Sequence, residues 1–345
     1  MFMRGNMRII RTLPAALLMI SCLASRALAA DTVVVYSALD REFSEPLLKA
    51  YGSTSGVRVL TKFDVESTKT VGLTNLIIAE RARPRCDLFW NNEILNTLRL
   101  KEKGLLAPYQ PGHAGDIPAT FKDKDGMWYG FAARARIIIV NTKLVTEADR
   151  PKGINDLLDP KWKGKIGIAK PLFGTTATHA ACLFAAWGDE KAKGYFRGLK
   201  ANGVQVFSGN KQVATAVDAG QIAFGMTDTD DAMGELDAGS PVVIVYPDRN
   251  PGDIGTLFIP NTLAIMKGAA HQKAAEALAD HLLSPAIETA LARGPSAQIP
   301  LLTTTEVKAR VETPKTVHAM EADFDAASKL WDKVAAFLAS EFANE

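Results

Sequence analysis

Cysteine is scarce in this sequence. There are three in 345 residues, and Cys22 stands in the N-terminal stretch. The remaining pair, Cys86 and Cys182, lies far apart in the chain. This excludes a disulfide-stapled scaffold and any C-x-x-C metal or redox motif. The pair reads as two free buried thiols, with a disulfide as the alternative in an oxidising compartment. The five histidines (His113, His179, His271, His281 and His318) show no paired metal spacing. Only His179, on the helix after Gly174, falls near a candidate site, and it reads as packed or solvated rather than catalytic. G-x-S-x-G, Walker A and H-E-x-x-H motifs are all missing, so no catalytic residues are assigned and an enzyme is the lesser reading. A basic surplus is missing too. The four arginines before residue 30 more than account for the net charge of +2, and without them acids outnumber bases by two, which argues against a nucleic-acid partner. No apolar run after residue 29 is long enough for a membrane span. There is no internal repeat and no low-complexity segment.

What is present begins with a leader. Arg4, Arg8 and Arg11 precede an apolar core, Leu13 to Leu23, and Ala27-Leu28-Ala29 offers a small-residue cleavage site. Residues 1–29 therefore read as a secretory signal peptide. Lipidation at Cys22 is a minor alternative, because its context fits that pattern poorly. The rest is long for one core and suits two lobes. Strands are expected at 31–36, 57–63 and 86–90, separated by helices at 41–51 and 68–81. That alternation describes a parallel α/β sheet with ligand sites at the C-terminal ends of its strands. A long strand, 130–141, crosses to a second α/β unit: strand 164–169, a helix from about 175, helix 190–199, strand 205–207, helix 211–219 and strand 222–226. Strands 242–246 and 256–266 lead back. An amphipathic helix at 271–283 and a last helix at 318–342 follow, the latter with Met320, Phe324, Leu330, Trp331, Val334 and Phe337 spaced for packing.

The strand at 222–226 ends in Thr227-Asp228-Thr229-Asp230-Asp231. Three carboxylates within four positions repel one another and lose water at the end of a buried strand. Either a positive group meets them, or they form a solvated turn in which Asp228 caps a helix starting near Thr229. The cap accounts for one aspartate and not for three.

Several segments, in this order, carry a family resemblance: VVVYSALDRE, CDLFWNNEILNTLRLKEKGLL, FAARARIIIVNTKLV, LLDPKWKGKIGIAKPLFGTT, GNKQVATAVDAGQIAFGMTDTDDA and IPNTLAIMKGAAHQKAAEALADHLLSPAIE. Together they resemble the periplasmic solute-binding proteins of ABC importers, in the branch typified by ferric-ion-binding proteins. The resemblance implies a two-lobed periplasmic-binding-protein fold of the type II kind, with the ligand in the cleft between lobes. Lobe 1 is expected over 30–133, lobe 2 over 134–252, and the return to lobe 1 with the C-terminal helices over 253–345. It also implies no cofactor, a periplasmic location, an inner-membrane ABC permease as partner, and a monomer.

The resemblance further shows what has changed. The two adjacent tyrosines of the iron binders fall on Asp230 and Asp231, their histidine on Asp40 and their glutamate on Asn92, so the family's usual iron site is absent. The anion-binding half is kept: Gly174, Thr175 and Thr176 open a helix, and Asn210 falls on an anion-contacting asparagine. Gly174-Thr175-Thr176 alone would also serve as a plain helix cap. Arg134 and Arg136, two apart on a strand, share one face and add a bidentate contact. An anion pocket facing Asp40, Asp228, Asp230 and Asp231 suits a small zwitterion such as 2-aminoethylphosphonate, with Tyr36, Trp90 and Asn92 walling the cleft. The alternative is a hard cation such as ferric iron on Asp40, Asp230 and Asp231 with a co-bound anion.

Overall fold

The computed structural model describes Met1, residues 31–64 and residues 70–342. The expected leader with Cys22, and the first residues of the helix expected over 68–81, lie outside them. In the first half, β1 (Thr32–Ser37) pairs in parallel with β2 (Arg58–Phe63) and β3 (Leu88–Asn91). Parallel neighbours need crossovers, which α1 (Arg41–Ser55) and α2 (Val71–Ala79) supply. α3 (Leu95–Glu102) follows β3, and the short β4 (Leu106–Ala107) adds to the same sheet.

The long strand β5 (Tyr129–Asn141) is buried along its whole length, as its Ile-Ile-Ile-Val run requires. Beyond it, β6 (Ile166–Ala169) lies parallel to β7 (Gln205–Phe207) and β8 (Phe224–Asp228). The connecting helices are α4 (Gly174–Trp187), α5 (Asp189–Ala201) and α6 (Asn210–Asp218). After β8 come α7 (Thr229–Asp237), β9 (Val242–Val245) and the buried β10 (Phe258–Met266). The order is β2-β1-β3-β10-β5-β8-β6-β7. β10 runs antiparallel to β3 and β5, and β5 antiparallel to β8 and β9, so two parallel α/β sheets meet along the β5–β10 ladder. This is the two-lobed type II binding-protein architecture that the sequence led us to expect.

Two elements differ from expectation. The turn at Ser284-Pro285 opens α9 (Pro285–Arg293), a helix the apolar spacing did not reveal, with Pro at its first position. The last helix, α10 (Phe324–Phe342), starts six residues late, because residues 318–320 run extended beside Thr256. Its stripe packs on α4 and α5, while Phe324 at its start lies against the cluster of Leu98 and Trp128. Trp331, Val334, Leu338 and Phe342 share a core with Phe184 and Phe196 of α4 and α5. Phe337 meets Phe184 edge-on at 5.7 Å, and Phe342 meets Phe196 at 6.3 Å. α8 (Gln272–Leu282) keeps its expected place on the first sheet.

Candidate functional site

Five strands, the parallel pair β1 and β3 of one sheet and the parallel set β6, β7 and β8 of the other, point their C-terminal ends at one place. Asp40 follows β1, Asn92 follows β3, Ala169 to Thr176 follow β6, Ser208 to Asn210 follow β7, and Asp228 to Asp231 follow β8. With Arg134 of β5 they line a cleft of about 410 Å³ of empty space, part of it open to solvent. Carboxyl ends of parallel strands are where α/β sheets leave a crevice, because the crossover helices start there and splay apart. The helices α4, α6 and α7 also begin here, so their N-terminal dipoles face the cleft.

Ten of the thirteen residues expected at the site line this cleft: Asp40, Asn92, Arg134, Gly174, Thr175, Thr176, Asn210, Asp228, Asp230 and Asp231. Arg136 stands one layer behind, 1% exposed. Tyr36 and Trp90 are corrections. Trp90 points into the first core, fully buried, with its ring 5.4 Å from Phe131. Tyr36 packs among Leu73, Ile77 and Phe89, and its hydroxyl donates to Glu80 at 3.0 Å. Neither walls the cleft. Lys170, Phe173, Ser208 and Gly209 do, and sequence reasoning passed them over. The signal available was their position, directly after β6 and β7.

The positive groups that the aspartate cluster demanded are the chain's own arginines. Arg136 Nη1 donates to Asp228 Oδ1 at 2.7 Å. Arg134 Nε lies 3.4 Å from Asp230 Oδ2 and 3.9 Å from Asp228 Oδ2. The shared face of the two arginines is as expected, since both reach Asp228. Asp228 stands at the N-cap position of α7 but makes no side-chain cap bond. Its Oδ2 instead accepts from Thr175 Oγ1 at 2.5 Å and from Asn210 Nδ2 at 3.0 Å. Thr176 Oγ1 donates to Asn210 Oδ1 at 3.1 Å, so neither threonine merely caps α4. The bonds of Arg136, Thr175 and Asn210 thus go in part to Asp228. Burial pushes the Asp228 carboxyl up, but the charges of Arg136 and Arg134 outweigh it and hold the group below the usual range.

Arg134 also donates through Nη2 to the Asn92 carbonyl and through Nη1 to Asn261 Oδ1 at 3.2 Å. The Asn92 side-chain oxygen is buried without a partner among the described residues, and it lies on the cleft wall. His179 sits behind the wall. Burial, then the charge of Arg136, push it down to about 3, which leaves it neutral and unsuited to proton transfer near neutral pH. Carboxylate oxygens of Asp228, Asp230 and Asp231 lie within 4.8 Å of one another, close enough to share a cation. Both remaining cysteines are free and buried.

Comparison with known proteins agrees with this architecture. The iron-bound HitA structure from Pseudomonas aeruginosa superposes with a TM-score of 0.80 at 22% identity, covering 89% of this chain and 99% of that one. AfuA from Actinobacillus pleuropneumoniae, solved with exogenous fructose-6-phosphate bound, gives 0.81 at 23%, covering 91% and 99%. The Fe(3+)-binding periplasmic protein of Serratia marcescens is 24% identical over 217 residues, 62% of either chain, so the match spans under two thirds of that relative's length. Residues 87–327 match the family described as bacterial extracellular solute-binding protein. That match takes in well over half the chain and most of the strand ends that build the cleft, and the chain belongs to the bacterial extracellular solute-binding proteins.

Proposed function

We propose that this chain is the periplasmic solute-capturing component of an ABC importer, and that its solute is a small zwitterion of the 2-aminoethylphosphonate kind. The observation that carries the reading is the mixed charge of one cleft. Asp40, Asp230 and Asp231 line it together with the N-terminal end of α4, Thr176 and Lys170. An ammonium group answers the carboxylates, and Asn92 Oδ1 offers it a further acceptor. A phosphonate answers the helix end and the lysine. The leader at 1–29 takes the chain to the periplasm. The lobes, over 30–133 with 253–345 and over 134–252, close about β5 and β10, and a monomer holding one solute docks on an inner-membrane permease.

Calorimetry with 2-aminoethylphosphonate, methylphosphonate and phosphate tests this. The zwitterion binds at least tenfold tighter than methylphosphonate, and Asp231→Asn removes that preference, costing roughly 2–5 kcal/mol of zwitterion affinity. Equal losses for all three ligands in the variant would refute it.

One observation favours a second reading, a hard cation: the close approach of the Asp228, Asp230 and Asp231 carboxylates. The names of the Serratia and Pseudomonas proteins point the same way. Ferric iron held here would lack a tyrosinate colour, since aspartates stand where the resemblance expects tyrosines. Native mass spectrometry of protein purified without refolding separates a metal from an organic solute.

A further inference from the structure

We infer that Asp228 is a built-in anion: its carboxylate fills a buried oxyanion-binding set made by Arg136, Thr175 and Asn210, and so excludes free oxyanions from those three donors. The phosphonate proposed for Thr176, Lys170 and the α4 backbone does not use them. The assignment holds whichever solute the cleft takes.

The donors come from three separate elements. Arg136 of β5, Thr175 of α4 and Asn210 of α6 converge within 2.5 to 3.0 Å on the two oxygens of one carboxylate. Arg136 and Thr175 are each 1% exposed, and Asp228 is 4% exposed. Gly174, the first residue of α4, has φ of 56°, the left-handed region, and a Cβ there would meet nothing within 4 Å. The backbone at the helix start is therefore turned by choice of residue and not by crowding.

Two further facts show that the set is larger than a carboxylate needs. Arg136 Nε is buried with no hydrogen-bond partner among the described residues, a donor left over. A tetrahedral oxyanion has more acceptor oxygens than a carboxylate and can take it up. Arg136 Nη1 is also shared among Thr175 Oγ1 at 3.3 Å, Asn210 Oδ1 at 3.0 Å and Asp228, which is the crowding expected where one anion has replaced a bulkier one. Asp228 itself lines the cleft, so deleting its side chain opens the donors to solutes from outside. Buried charge must be matched, and Asp228 supplies the match within the chain.

The test removes the tether and offers a free anion. In Asp228→Ala, inorganic phosphate binds at least tenfold tighter than to the unmodified protein, and phosphate or formate raises the melting temperature while chloride does not. Adding Thr175→Val to that variant abolishes the gain. The inference is overturned if the folded variant responds to phosphate and formate no more than the parent does. It is also overturned if the double variant keeps the full gain. If Asp228→Ala fails to fold in plain buffer, it is refolded in formate, phosphate or chloride: recovery with the oxyanions alone supports the inference, and failure in all three overturns it. The probes are phosphate and formate, so an absence of 2-aminoethylphosphonate binding would count against the solute proposed above and leave this result readable.

Discussion

Thr178 Oγ1 donates to Glu93 Oε2 at 2.8 Å, joining α4 to the turn ahead of α3 from the opposite side of the cleft. Glu93 is fully buried, and the other bonds of its carboxylate, from Asn91 Nδ2 and the Asn96 amide, are local. Thr178→Val keeps the shape and deletes the donor. A buried carboxylate short of one bond costs about 1–3 kcal/mol, read from urea denaturation. Thr178→Ser, which retains the hydroxyl, stays close to the parent.

The C-terminal helix holds the second unit together. Trp331 is 5% exposed in the core it shares with Phe184, so Trp331→Ala leaves a cavity that rigid neighbours fill only in part. The expected loss is about 3–5 kcal/mol, again by urea denaturation. A loss under 1 kcal/mol would mean that α10 is not part of this core.

Acid stability should carry the mark of Asp228. Its carboxyl is held below its ordinary 3.8 by Arg136 and Arg134, against the opposing effect of burial. A depressed carboxyl stabilises the fold fully above the unfolded value, and this contribution is lost as pH falls through the folded one. Denaturation midpoints set by this group are therefore flat from pH 7 to 5 and fall below 3.8. In Asp228→Asn the neutral-pH midpoint drops and the acid limb flattens. An unchanged acid limb in that variant would remove Asp228 as its cause.

Both thiols should be silent in the native protein. Cys86 and Cys182 are buried, and burial pushes both up, far from the thiolate form that reacts. A thiol reagent such as dithionitrobenzoate should label neither before denaturation and both after it. Fast labelling of either in native buffer would contradict the buried placement.

The fold was legible because its signals are local. β-Branched runs such as Val33 to Val35 and Ile137 to Val140 alternate with amphipathic segments, and that alternation implies parallel sheets with their crevice at the strand ends. Ten residues of the cleft were legible through the family resemblance, laid on those strand ends. Local signals failed where the outcome depends on a distant partner. A carboxylate at a helix N-cap position normally caps, and Asp228 turns away because Thr175, Asn210 and Arg136, the last of them 92 residues away in the chain, hold it instead. Trp90 lies two residues before Asn92, yet its side chain meets Phe131 in the core, because which face of β3 is covered depends on β10 and β5. The stripe of α10 announced a packed helix without naming the lobe that receives it, since an apolar surface carries no address.

Arg134 touches both walls of the cleft at once. It donates to the Asn92 carbonyl on one side and lies 3.4 Å from Asp230 on the other, from a strand shared by the two sheets. An opening of the kind proposed above would have to lengthen one of these contacts, so the guanidinium ties the two walls together. Arg134 and Asp230 are only 1% and 6% exposed, so salt screens the pair little, and its hold on the cleft should change little with ionic strength.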